Sequence, residues 1–234
     1  MTKKFLAGIF AAGMLAFPLT TAEAYDTSVL QKPQNPLFYI YETKVDLNIN
    51  EQLQRAKSLI EEEKDYRMAI AVCNQIIELD SNVSLAYLLK SMALTELKDF
   101  SAADAECQKA INIEPQNPTF HYFRGMNYLY WADNYKVDNG GHFNHAQRAI
   151  PHFKKALELE NKYVNAIVGV GDAYMKMADN CNAHKSANVY NVRDAKKYYT
   201  AAIDEYNKIL VWFPKNGTIV AKKAMAQKSI EELQ

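Results

Sequence analysis

Two short stretches decide the fold, AIAVCNQIIELDSN at residues 69–82 and AECQKAINIEPQN at residues 105–117. When Cys73 is aligned with Cys107, the two stretches are offset by 34 positions. The same register returns twice further along the chain, in AIPHFKKALELEN (149–161) and AAIDEYNKILVWFP (201–214). A repeat of this length, seen four times, indicates stacked copies of one supersecondary unit.

Each of the four stretches carries an alanine followed four positions later by a larger residue. The pairs are Ala69/Cys73, Ala103/Cys107, Ala149/Phe153 and Ala202/Tyr206. Because residues four apart share one face of an α-helix, each stretch predicts a helix with a small-and-large contact face. A second helix is predicted upstream, where Gly125 precedes Tyr128 by three positions and Gly171 precedes Tyr174 likewise. The unit is therefore predicted to be a pair of helices.

This pattern resembles the tetratricopeptide (TPR) repeat, in which W-x2-L-G-x2-Y, A-x3-F and P recur with a period of 34 residues. The tryptophan position is never Trp, since it is occupied by Leu53, Tyr87, His121 and Ile167. The resemblance covers about residues 50–216. It implies an all-α, right-handed α-solenoid of about four helix-turn-helix repeats, at residues 50–83, 84–117, 118–163 and 164–216.

The segments that flank and interrupt the repeats have their own patterns. Residues 25–49 lack a helical period and contain two prolines, so they are predicted to be irregular. Residues 217–234 are predicted to be a capping helix, because the end of a solenoid must cover its last apolar face. Two repeats are longer than the others, and insertions between their helices are predicted at about 134–145, as a loop, and at about 179–195.

The N-terminus has the pattern of a secretory signal peptide. Lys3 and Lys4 precede an apolar run from Phe5 to Leu19, and an A-x-A site follows at residues 22–24. That run is shorter than the roughly 20 apolar residues that span a membrane. The sequence therefore predicts a signal over residues 1–24, cleavage after it, and an exported bacterial protein that is periplasmic or secreted. A retained membrane anchor is the alternative.

Composition and charge exclude several classes of function. The chain is 49% apolar and 23% charged, so a packed core is expected. Basic and acidic residues both number 27, and cleavage after residue 24 leaves a net charge of −1. A neutral chain offers no electrostatic case for binding nucleic acid, so no nucleic-acid partner is expected. The three cysteines, Cys73, Cys107 and Cys181, are an odd number and do not indicate a disulfide framework.

Catalytic motifs are absent from the sequence. It contains no nucleophile elbow, phosphate-binding loop or zincin motif, so we predict neither an enzyme nor a cofactor. One set of residues has metal-ligand chemistry: His142 and His145 in the first insertion, and Cys181 and His184 in the second. These four could form a tetrahedral zinc site if the two insertions meet. The alternative, which we prefer, is scattered polar loop residues without a metal.

The resemblance also implies where a partner would bind. In TPR proteins the first helix of each repeat lines a concave groove. Carried onto this sequence, the apolar residues facing that groove are Leu85, Leu88, Met92, Tyr122, Met126, Leu129, Tyr130, Val168 and Met175. Apolar patches on soluble proteins usually mark interaction sites, so a protein or peptide partner is predicted there. Two alternatives stay open: the groove is covered by residues 25–49, or by a second copy in a self-assembling homo-oligomer.

Overall fold

The computed structural model describes residues 44–137, 139–184 and 189–233. These ranges contain nine α-helices and no strand, which confirms the all-α class. The helices are α1 (Lys44–Ser58, extended by a π-helical turn at Leu59–Glu63), α2 (Tyr66–Leu79), α3 (Ser84–Glu96), α4 (Phe100–Ile113), α5 (Pro118–Asp133), α6 (Gly140–Leu159), α7 (Val164–Ala183), α8 (Val189–Trp212) and α9 (Gly217–Glu231). The signal and most of the predicted irregular segment lie outside the described residues.

The helices stack as a solenoid. Each helix packs against its neighbours along the chain, and the first helices of successive repeats also contact one another: α1 with α3, α3 with α5, and α5 with α7. This near-neighbour pattern is the one-dimensional packing of a repeat protein. None of the described helices combines the length and apolar character needed to cross a bilayer.

The turn inside the first two repeats is the same structure built twice. Lys64 and Lys98 lie 34 positions apart and both adopt a positive φ, of 59° and 65°. The residue after each is an aspartate whose carboxylate accepts a hydrogen bond from a backbone N–H in the next helix, Asp65 from Met68 and Asp99 from Ala102. A left-handed residue ends one helix and an N-cap starts the next, which sets the angle between the pair.

A large side chain from the second helix of each pair fills a slot left by a small residue on the first. A Cβ atom at Gly125 would lie 2.7 Å from the ring of Phe153, and one at Gly171 would lie 2.5 Å from the ring of Tyr206. In the preceding repeat the hydroxyl of Ser91 contacts the thiol of Cys107 at 2.9 Å. The four alanine-and-large pairs that the sequence predicts on one helical face are all fully buried, which confirms that face as the contact face of the second helix.

Helices occupy half of the first predicted insertion and most of the second. Helix α5 ends at Asp133 and α6 begins at Gly140, so the connection is much shorter than the predicted loop. The side chain of Asn139 accepts a hydrogen bond from the backbone N–H of Gly141 at 2.7 Å, which caps α6 and allows the helix to begin at two glycines. In the fourth repeat, helical residues of α7 and α8 occupy most of the segment predicted as an insertion, residues 179–195. The predicted lengthening of the second helix is confirmed.

The first helix also begins earlier than expected. Helix α1 starts at Lys44, inside the segment 25–49 that was predicted to be irregular. No proline or glycine occurs between residues 44 and 58, so nothing in the sequence stops the helix from extending toward the N-terminus. At the other end, α9 packs on α8 and buries Ile219 and Ala226, as expected of a capping helix.

Candidate partner-binding groove

Four of the nine predicted groove residues are buried: Leu88, Met92, Tyr122 and Leu129. The ring of Tyr122 lies 5.2 Å from that of Tyr163 and 5.8 Å from that of Phe153, measured between centroids. Burial raises the pKa of the Tyr122 phenol. These side chains fill the space where the first helices of successive repeats meet, so they stabilise the solenoid and leave little surface for a partner.

The other five predicted residues keep accessible surface. Leu85 is 37% exposed, and Met126, Tyr130, Val168 and Met175 are partly buried. They lie on α3, α5 and α7, which are the first helices of three repeats in contact with each other. We call these five residues the groove face. It is smaller than the sequence predicted, and its residues come from the first helices of repeats 2 to 4.

Ion pairs between repeats occupy the basic residues near the groove face. Lys176 on α7 pairs with Asp133 on α5. The carboxylate of Asp172 accepts hydrogen bonds from the Lys222 ammonium at 2.6 and 2.7 Å and from the Tyr206 hydroxyl at 2.8 Å. Both lysines therefore already have a carboxylate partner within the chain. Neither is positioned to receive an acidic ligand without breaking a contact that joins two helices.

Glu96 adds a partly buried carboxylate at the end of α3. Burial raises its pKa, while a hydrogen bond with Tyr66 and the charge of Lys64 act in the opposite direction. Burial raises the pKa of the Tyr130 phenol, and the charges of Glu96 and Asp133 raise it further. Of these two carboxylates, Asp133 is already paired with Lys176.

The metal-ligand set is not assembled. Within residues 44–137, 139–184 and 189–233, no three His, Cys, Asp or Glu side chains come together to hold a metal ion. The extension of α6 places His142 and His145 on that helix, where both are buried, while Cys181 packs with the core between α7 and α8. The possible zinc site raised in the sequence analysis is therefore wrong for the described residues.

His145 belongs instead to an aromatic stack that the sequence analysis missed. Its ring lies 4.2 Å from Trp131 and 5.5 Å from Tyr135, at interplanar angles of 16° and 11°. Tyr128 continues the stack, with the ring of His152 parallel to it at 5.4 Å. The signal was present, because Tyr128 and Trp131 are three residues apart on one helical face and Tyr135 follows four residues later, just past the end of α5. This stack packs α6 against the side of α5.

Cys107 is an inert thiol in the core. It is fully buried, and this burial raises its pKa to about 12. Cys73 is buried in the same way, and all three cysteines are free. A thiol that stays protonated is a poor nucleophile and a poor metal ligand, so Cys107 offers no catalytic chemistry.

Known proteins share this repeat. Residues 85–117, which cover α3 and α4, match the tetratricopeptide repeat model. The human mitochondrial import receptor subunit TOM70 is 23% identical over 173 residues, which are 71% of this chain and 24% of the receptor. The chain thus spans about a quarter of the length of that curated relative.

Solved structures with a similar backbone include a thermophilic TPR protein from Thermus thermophilus. It is 14% identical, with a TM-score of 0.49, and the match covers 76% of this chain and 98% of that one. An O-GlcNAc transferase mutant from Thermobaculum terrenum is 19% identical with a TM-score of 0.49. That match covers 71% of this chain and 28% of the transferase.

Proposed function

We propose that this tetratricopeptide-repeat protein is a non-enzymatic scaffold that holds a protein or peptide partner against the groove face. The observation that carries the proposal is the accessible apolar surface on the first helices of three successive repeats. Methionine and tyrosine dominate that surface, and both adapt to different contact shapes. A partner helix or an extended apolar segment would fit such a face.

The charges around the groove face favour a neutral or basic partner. Lys176 and Lys222 are both engaged by carboxylates within the chain. The carboxylates that act on Tyr130 are Glu96 and Asp133, and Asp133 is itself paired with Lys176. An acidic segment would have to break an existing ion pair to reach either lysine, whereas a neutral or basic segment would not.

We also propose that the scaffold acts in the bacterial cell envelope, in the periplasm or outside the cell. The support is the sequence pattern of residues 1–24 alone: a basic start, a short apolar run and an A-x-A site. N-terminal sequencing of the protein from its own cells, after fractionation, tests this. A mature chain that begins at Tyr25 in the periplasmic or extracellular fraction is expected, and an intact N-terminus in the cytosol would contradict it.

Capture experiments with matched variants test the groove face. Crosslinking and pull-down from the envelope fraction would compare wild type with Leu85→Glu and Val168→Glu, each of which puts a charge on the groove face. The control is Met68→Glu, because Met68 is 50% exposed on α2, a second helix of its pair. Circular dichroism must show the same helicity for all four proteins.

The recovered partner would then be purified and titrated against each variant by calorimetry. We expect wild type and Met68→Glu to bind equally. Leu85→Glu and Val168→Glu should each weaken binding by about tenfold or more, because a charge buried against an apolar partner is left unpaired. Equal affinity for all four proteins would show that the partner binds elsewhere.

A further inference from the structure

The outer face of α9 carries an apolar stripe that no described residue covers. Val220 is 45% exposed and Met225 is 63% exposed, and Ala221 and Ala224 between them are exposed as well. Their spacing places all four on one side of the helix. We call these four residues the α9 stripe. A capping helix is expected to present a polar outer face, so this stripe needs an explanation.

The repeat register indicates that the exposed face of α9 is one that normally packs against a second helix. Helix α9 begins three residues after Pro214, just as α5 begins three residues after Pro115. In that register Ala224 occupies the position of Gly125 and Gly171 in the earlier repeats. At those two glycines, large rings from a second helix fill the slot. At Ala224 the slot is open in the described part of the chain, so α9 presents a helix-accepting face without its second helix.

The stripe has the same pattern in both directions. A large residue stands at each end of the stripe, Val220 and Met225, and a small one stands next to each, Ala221 and Ala224. The two residues between the alanines are not part of the stripe. If two copies of α9 cross antiparallel, Val220 of one copy meets Met225 of the other, and Ala221 meets Ala224. Small residues at the centre allow the two helices to approach closely. A patch that is complementary to itself under a two-fold rotation is the requirement for a symmetric dimer contact.

The charges at the two ends of α9 are complementary in the same arrangement. Lys215 lies before the start of the helix and Glu231 at its last residue, and both are exposed. Neither takes part in an ion pair with another described residue. An antiparallel crossing brings Lys215 of one copy to the end where Glu231 of the other lies. Between Ala221 and Ala224, Lys222 pairs with Asp172, and Lys223 is partly buried on a different side of the helix from the stripe.

We propose that this chain forms a two-fold symmetric dimer through antiparallel contact of the α9 stripe. Val211, which is 78% exposed, and Trp212 lie just before α9 and extend the exposed apolar surface along the chain. One helix of 15 residues is only about 22 Å long, so the contact is smaller than the roughly 800 Å² per partner of a standard stable interface. The dimer is therefore reversible and depends on concentration. In the same register Ala221 corresponds to Tyr122 and Met225 to Met126, so the α9 stripe continues the line of groove positions beyond repeat 4.

Sedimentation velocity across about 1 to 500 µM protein tests the proposal. Wild type should shift from monomer toward dimer over this range. Ala221→Glu combined with Ala224→Glu should weaken dimerisation at least about tenfold, because four carboxylates would face each other across the axis. The control is Ala71→Glu, an exposed alanine on α2, which should dimerise like wild type.

Charge reversal tests the antiparallel register. Lys215→Glu and Glu231→Lys should each weaken the dimer about two- to fivefold, the range for an exposed ion pair, and the double variant should restore it. A wild-type protein that stays monomeric at about 500 µM overturns the proposal, even if it binds anionic vesicles through Trp212 instead. A dimer that survives the double glutamate substitution with unchanged helicity overturns it too.

Discussion

Adding one methyl group at Gly125 should destabilise the protein, although the same change in an open helix stabilises it. Alanine is favoured over glycine in a helix by about 1 kcal/mol. At Gly125, however, the new Cβ would lie 2.7 Å from the Phe153 ring, where a carbon contact of about 3.5–4.0 Å is normal. The ring cannot retreat, because it is fully buried and already lies against Gly169 on the other side.

The cost of overpacking a fixed core is typically about 1–3 kcal/mol. Since Phe153 is confined on both sides, we expect the upper end of that range, which leaves a net loss of about 2 kcal/mol after the gain in helix propensity. For a chain of this size the midpoint of thermal unfolding should fall by about 4–8 °C. Gly140→Ala is the control, because a Cβ there meets nothing within 4 Å. It should change stability by no more than about 0.5 kcal/mol.

A double-mutant cycle separates the clash from any general effect of the alanine. Phe153→Leu alone should destabilise the protein by leaving a cavity, but it should cost less in the Gly125→Ala background, where it also makes room for the methyl group. A coupling free energy of about 1 kcal/mol or more is expected from urea denaturation of the four proteins. The packing argument fails if Gly125→Ala is as stable as wild type, or if the two changes are simply additive.

Three further predictions concern buried polar groups. Burial and nearby Arg124 lower the pKa of His152 from 6.5 to about 4, so the folded state binds fewer protons than the unfolded state. The contribution of His152 to the free energy of unfolding should be fully present above about pH 6.5, and about 1–3 kcal/mol should be lost as the pH drops to about 4. Unfolding curves of the His152→Phe variant should lack this loss. Asn127 is buried and bonds Thr95 at 3.0 Å, so Asn127→Leu should cost about 1–3 kcal/mol in urea denaturation. Cys107 should resist a thiol reagent until the protein unfolds, whereas partly exposed Cys181 reacts in the native state; fast labelling of both would contradict the burial argument.

The sequence predicted well whatever depends on contacts within one repeat. The sequence predicts that Phe153 and Tyr206 lie on the contact faces of their helices, and both are fully buried; the structure adds that they pack against Gly125 and Gly171. These contacts are local, and each is specified by a few residue types at fixed positions. The prediction of a loop at residues 134–145 is wrong from Gly140 onward, because Asn and Gly can begin a helix as well as form a loop. Asn139 and Gly141 are instead a cap and the start of a helix.

The exposed fraction of each predicted groove side chain could not be predicted in the same way. Counting positions identifies which side of a first helix faces its neighbours, but not how closely the next repeat approaches. Tyr122 and Leu129 are on the predicted helices, yet the winding of α5 against α7 buries them. Met126 and Val168 belong to the same predicted set and keep accessible surface. That difference depends on packing between repeats, which the sequence of a single repeat does not contain.

At the end of the solenoid, the pairing of a small residue with a large side chain from the next helix indicates where a partner could bind. If a small residue at the Gly125 position always receives a large one from a second helix, an exposed Ala224 marks a contact that the described chain does not satisfy. The repeat register does not predict which groove residues are buried. It does identify an open packing site on α9. Its sequence is symmetric from Val220 to Met225, and a second copy of the same helix is the simplest partner with a matching pattern.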